Sequence, residues 1–185
     1  TKDPYRIWLS EIILQQTRVN QGLPYYVKFV ETFPTVFDLA AAPEQKVLRL
    51  WQGLGYYTRA RNLHKCAKEI VARFNGKFPK TFNELKTLPG IGDYTAAAIA
   101  SISFGQSVAV VDGNVFRVLA RIFGIETPIN SPEGKRVFSK LANELVPKED
   151  GPLISGKQLR TELEALPQLR TEPGWVFSRE EANER

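Results

Sequence analysis

Two carboxylates stand in settings that suit acids to different work. Glu11 lies inside IWLSEIILQQT, among Trp8, Leu9, Ile12 and Ile13. Apolar surroundings disfavour the charged form of an acid, so such a glutamate suits a general acid. The plainer alternative is an ordinary exposed glutamate on an amphipathic helix. Asp112 precedes Gly113 and Asn114 in VVDGNV. At a helix start its side chain would accept the free N–H groups, as a simple N-cap or as part of a site. Together, two carboxylates can divide the hydrolysis of a glycosidic bond: one protonates the leaving group, the other meets the positive charge on the sugar.

A third feature is LPGIGDYTAAAIAS, residues 88–101. Leu88, Gly90 and Gly92 belong to a short turn set directly against a helix start. Glycines let the backbone turn tightly and let a ligand come close. The free N–H groups and dipole of the following helix favour an anion, such as a DNA phosphate. A tight helix connection with no ligand is the alternative. Tyr94, two residues past Gly92, either packs or positions an acid or a sugar.

These groups need a scaffold, and the pattern is helical nearly throughout. Asp3-Pro4 reads as an N-cap with proline at the first helical position. YRIWLSEIILQQTRV then predicts about four turns. Pro24 is expected to open a second helix ending at Pro34, and TVFDLAAA and EQKVLRLWQ to form the next two. The long run to Phe74 is closed by Asn75-Gly76. TFNELKTL and DYTAAAIASISF flank the glycine turn. Ser107–Val111 could be a short strand by its β-branched content, with Asp112-Gly113-Asn114 a hairpin turn. The helical spacing of Val115, Val118, Leu119 and Ile122 instead places Asp112 at a helix N-terminus. Ser131-Pro132 opens one more helix. The fold class expected is all-α.

The 185 residues suffice for one domain with a real core, or two small lobes. Net charge is +5, and the basic excess falls within residues 1–150. This favours an anionic partner. Cys66 is the sole cysteine, so no internal disulfide forms; it reads as a small core residue. His64 reads as a surface or packing residue. No metal-ligand spacing is present. No apolar run reaches the ~18 residues of a membrane span, and no signal peptide is visible. The chain starts Thr1-Lys2-Asp3 and contains no methionine, so a natural start is not expected at residue 1.

Four stretches in order, DPYRIWLSEIILQQT, LWQGLGYYTRARNL, LPGIGDYTAAAIAS and VVDGNVFRVLAR, carry a specific likeness. Over roughly residues 3–148 the chain resembles the catalytic core of the helix–hairpin–helix DNA glycosylases, and among them the branch that excises adenine. The resemblance implies a six-helix barrel-type lobe plus part of a second helical lobe. It implies a monomer that removes adenine mispaired with 8-oxoguanine or guanine in double-stranded DNA, inside the cell. By the same resemblance Glu11 is catalytic. Asp112 stabilises an oxocarbenium ion or forms a covalent intermediate, and Asn114 supports it. Tyr56 fills the gap left by the flipped base, and Gln15, Gln16 and Thr17 contact the lesion pair. The endonuclease III branch carries a lysine where this chain has Tyr94. That lysine attacks the sugar as a Schiff base; a phenol forms no imine. The resemblance therefore favours a monofunctional glycosylase. Alternatives are an endonuclease III-like enzyme for oxidised pyrimidines and a non-catalytic DNA-binding fragment. Arg59, Arg61, Lys65 and Lys68 are expected mostly on a solvated face, a minority touching phosphate. The family usually continues into a segment whose four cysteines hold a 4Fe–4S cluster, and into a domain that recognises oxidised guanine. Residues 151–185 match neither and are expected to be a poorly packed tail after a core at 1–150.

Overall fold

A computed structural model describes residues 2–147. Among the described residues it is all helical, with no strand. The helices are α1 (Pro4–Leu14), α2 (Val19–Thr32), α3 (Val36–Ala41), α4 (Glu44–Trp51), α5 (Thr58–Phe74), α6 (Phe82–Leu85), α7 (Asp93–Phe104), α8 (Gly113–Phe123) and α9 (Pro132–Leu145). The described residues divide into two compact units, one up to Val110 with α1–α7 and one from Val111 onward with α8 and α9. The tail expected at 151–185 lies outside the described residues.

Local chemistry sets most boundaries. The Asp3 side chain accepts from Tyr5 N at 3.0 Å and Pro4 opens α1. Thr35 with Asp38, and Thr81 with Glu84, close reciprocal capping boxes on α3 and α6. Asn75, Gly105 and Gly124 end α5, α7 and α8 in left-handed conformation. Asp112 caps α8, as its helical spacing required, and Ser107–Val111 is not a strand.

Two expectations are corrected. Helix α1 does not run four turns; it stops at Leu14, and Gln16 turns left-handed with φ 53°. No glycine or proline stops it. The reason is tertiary: Arg59 takes the carbonyls of Ile12, Ile13 and Gln15. Helix α2 starts at Val19, so Pro24 sits inside it instead of opening it. The carbonyl that Pro24 cannot bond is that of Asn20, an exposed residue within reach of solvent.

In the first unit Trp8, Leu9, Ile13, Phe29, Phe33, Leu39, Trp51, Leu63, Ile70 and Ile99 are fully or almost fully buried in one cluster. Each such side chain contributes about 1.5–3 kcal/mol. Tyr5 donates its hydroxyl to Phe33 O at 2.6 Å and so ties α1 to the end of α2. Helix α7 is sheathed by α1 and α6. Its buried run Thr95–Ala100 is mostly alanine, which lets α1 come close. In the second unit α8 packs on α9, with Phe116 edge-on to Phe138 at 5.2 Å.

Candidate active site

The contact of α1 with α7 puts two candidate residues together. Glu11 is half-buried on α1. Tyr94, in the first turn of α7, donates its hydroxyl to the Glu11 carboxylate. Burial raises the Glu11 carboxyl above its ordinary value, and the Tyr94 hydrogen bond partly offsets this. Tyr94 remains exposed at 40%, so the pair opens to solvent on the tyrosine side. Beside it, Gln15 Nε2 donates to the buried Thr95 Oγ1 at 3.4 Å. The Gln15 amide thus faces inward while Gln16 is exposed. Thr17 is half-buried, its hydroxyl donating to Gln15 O at 3.2 Å.

The glycine turn joins α6 to α7. Leu88 and Ile91 are buried and anchor it in the core; the side chain of Leu88 is thereby committed to packing. Gly90 has φ 75°, and a Cβ there would lie 2.8 Å from the Asn62 Cβ. The fold itself requires this glycine. Gly92 differs. Its φ of −88° suits any residue, and a Cβ there would meet nothing within 4 Å. It caps α7 with no side-chain hydrogen bond, which leaves the first-turn N–H groups without a side-chain cap. Lys86 pairs with Asp93 nearby, Nζ to Oδ1 2.5 Å, on exposed side chains.

Tyr56 lies 69% exposed at the end of the 53–56 turn and is left-handed, φ 47°. Trp51 Nε1 donates to Gly55 O at 2.9 Å and secures that turn from below.

Arg59 departs from the solvated face expected of it. One of its terminal nitrogens donates to the carbonyls of Ile12, Ile13 and Gln15, the other to Leu54 and Gly55. Its guanidinium lies 5.1 Å from the Trp51 ring centre and 5.7 Å from that of Tyr56. By taking the last carbonyls of α1 it ends that helix. A cavity of about 50 Å³ beside it is lined by Trp8, Gln15, Asn62, Pro89 and Gly90, among others. Arg61 instead pairs with Glu44 at 3.7 Å, and Lys65 and Lys68 are exposed. Arg59 and Thr95 are the residues that sequence reasoning missed. The arginine in YYTRARNL was visible as a charge, but nothing in its neighbours marked it as inward-facing.

The second unit holds its own cluster. Asp112 Oδ1 accepts from Asn114 N at 2.9 Å and Val115 N at 2.8 Å; Oδ2 accepts from Asn114 Nδ2 at 3.1 Å. Arg117 donates to Asn114 Oδ1, which fixes the amide with its NH₂ toward the carboxylate. Asp112 is therefore an N-cap and also an oriented carboxylate.

Among the described residues no group of three or more His, Cys, Asp and Glu could hold a metal ion. An iron–sulfur cluster takes four ligands, generally cysteines, and this chain has one. Cys66 is buried on α5, where desolvation pushes its thiol up and keeps it inert. The residues present do not fit a cluster. His64 is a buried packing residue, its imidazole pushed down by burial.

A family model described as "HhH-GPD superfamily base excision DNA repair protein" matches residues 9–148. The chain is similar to the adenine DNA glycosylase of Buchnera aphidicola subsp. Baizongia pistaciae, 45% identical over 146 residues, which is 79% of this chain and 41% of that protein. It is similar to human adenine DNA glycosylase, 46% identical over 143 residues, 77% of this chain and 26% of that one. The chain thus spans less than half the length of these curated relatives. Among solved structures it resembles a thermostable thymine-DNA glycosylase, with a TM-score of 0.73 and 30% identity, covering 88% of this chain and 72% of that chain.

Proposed function

The chain belongs to the HhH-GPD superfamily of base excision DNA repair proteins, and on that premise we propose that it is a monofunctional adenine DNA glycosylase core. Its substrate is double-stranded DNA with adenine opposite 8-oxoguanine or guanine. The observation that carries this reading is the Tyr94–Glu11 pair. The acid is half-buried and holds its proton to higher pH, as protonation of a leaving purine requires. Its partner is a phenol, which cannot form an imine, so water is the acceptor of the sugar.

In the proposed reaction the C1′–N bond breaks as the Glu11 proton passes to a ring nitrogen of adenine. The positive charge left on the sugar is balanced by the carboxylate of Asp112, held by Asn114. Water oxygen then bonds to C1′, and its proton returns to a carboxylate. Adenine and an abasic sugar are the products. Gly92 and the N-terminus of α7 grip a phosphate. Tyr56 fills the gap that flipping leaves, and Gln15, Gln16 and Thr17 border the pair. The names of the relatives support adenine as the base. We assign the catalytic core to residues 1–150 and take it to act as a monomer.

The test is single-turnover base release from duplexes carrying A:8-oxoguanine, A:G, T:G or an oxidised pyrimidine, read by mass spectrometry. Free adenine, with no strand cleavage, is expected from the first two. Glu11→Gln should still bind but release adenine about 10²–10⁴-fold more slowly. Release of pyrimidine alone, or binding with no release of any base, would overturn the proposal.

A further inference from the structure

Three non-glycine residues in the described chain are left-handed: Gln16, Tyr56 and Asn75. Asn75 ends α5, where asparagine is at home in that conformation. The other two have no such excuse. A long side chain at positive φ is sterically costly and persists only where its surroundings over-determine it. What surrounds both is one guanidinium. Arg59 bonds the carbonyl of Gln15, directly before Gln16, and that of Gly55, directly before Tyr56. It also faces the Tyr56 ring. No carboxylate among the described residues forms an ion pair with it. Its charge is met by backbone oxygens, including those at the negative end of the α1 dipole.

We infer that Arg59 is a positioning residue that locks the Gln15–Thr17 turn and the Leu54–Tyr56 turn into one rigid unit, so that Gln16 and Tyr56 meet the duplex at a fixed spacing. The inference rests on the DNA role proposed above for those turns. Arginine is needed because five carbonyls on two sides require a planar fork of separated donors. Lysine has one nitrogen, and cannot bond both turns in this way. A rigid pair of contacts favours the one duplex geometry that suits both, and so serves discrimination more than affinity.

The experiment compares the full chain with Arg59→Lys, Tyr56→Ala, Gln16→Ala and the two double variants that add Arg59→Lys. Affinity is measured for a duplex with one A:8-oxoguanine pair and for the matched duplex, alongside thermal melting. Arg59→Lys is expected to melt cooperatively and to bind matched duplex like the parent, yet to lose about tenfold or more of its preference for the mispair. Tyr56→Ala and Gln16→Ala should each lower that preference in the parent and add little on top of Arg59→Lys. An unchanged preference in Arg59→Lys, or an equal loss on both duplexes, overturns the inference while leaving the DNA reading of the turns intact. Parental preference in both Tyr56→Ala and Gln16→Ala overturns that DNA reading, and the inference with it. Should Arg59→Lys fail to fold, hydrogen exchange in the parent decides. The Thr17 and Leu54 amides, bonded to Leu14 O and Trp51 O at 3.1 Å each, should open together and gain protection together on mispaired duplex. Independent opening overturns the inference.

Discussion

The two glycines of LPGIG should fail in opposite ways when each becomes alanine. At Gly90 the backbone has φ 75° and a Cβ would sit 2.8 Å from the Asn62 Cβ. The left-handed conformation costs an L-residue about 1–2 kcal/mol. Forcing a methyl against a packed neighbour adds about 1–3 kcal/mol. Gly90→Ala should therefore lose roughly 2–5 kcal/mol, or about 4–20 °C in Tm at ~2–4 °C per kcal/mol for a chain of this size. At Gly92 the φ of −88° is ordinary and the space is open. There the poorer N-cap costs alanine about 0.5–1 kcal/mol, and the reduced freedom of the unfolded chain returns about 0.4–1 kcal/mol. Stability should stay nearly unchanged. The new methyl instead stands where a phosphate must approach. Loss of one hydrogen bond to a charged group, about 1.5–3 kcal/mol, predicts at least ~10-fold weaker DNA binding. The loss should be equal for mispaired and matched duplexes, with an unchanged salt slope, because no cation was removed. Calorimetry and fluorescence anisotropy across salt concentrations read both effects. Unchanged DNA affinity in Gly92→Ala at moderate salt would refute the phosphate site. A loss confined to the mispair would refute the claim that the hairpin holds backbone without reading bases.

Other consequences concern titration and accessibility. Burial places the folded Glu11 carboxyl above its unfolded value. The stability it contributes is thus full below the unfolded value and lost as pH rises through the folded one. Glu11→Gln carries no such loss, so its melting temperature should gain on the parent's as pH rises through and above the ordinary carboxylate range; a difference independent of pH would exclude a raised carboxyl. Tyr94→Phe removes the hydrogen bond that holds Glu11 down, so the alkaline limb of base release should move to higher pH. A limb that stays or moves lower would show that Tyr94 does not act on the acid. Cys66 is wholly buried, so a thiol reagent should label it only as fast as the chain opens. Rapid labelling of the native chain would contradict the packing of α5.

Helix caps were legible because they are satisfied within a few residues. Asp3 and Ser131 bond N–H groups two or three positions on, so the letters and their spacing determine them; the Thr35 and Thr81 caps are equally local but were not read from the sequence. Asp112 belongs with these, since its oxygens take Asn114 N and Val115 N. The order of four motifs, through the family resemblance, was enough for the fold class. The stop of α1 at Leu14 was not legible. It depends on an arginine 44 to 47 positions away that withdraws the carbonyls of Ile12, Ile13 and Gln15 from the helix. Likewise, sequence alone could not tell Arg59, folded inward over Trp51, from Lys65 and Lys68, which stay in solvent. Nor could the apolar neighbours of Glu11 reveal that the hydroxyl meeting it comes from Tyr94 on α7. A residue's charge and hydrogen-bonding capacity are written in its type. Whether a carbonyl, a phenol or water answers them depends on which distant backbone lies within ~3 Å, and only the packing of α1, α5 and α7 decides that.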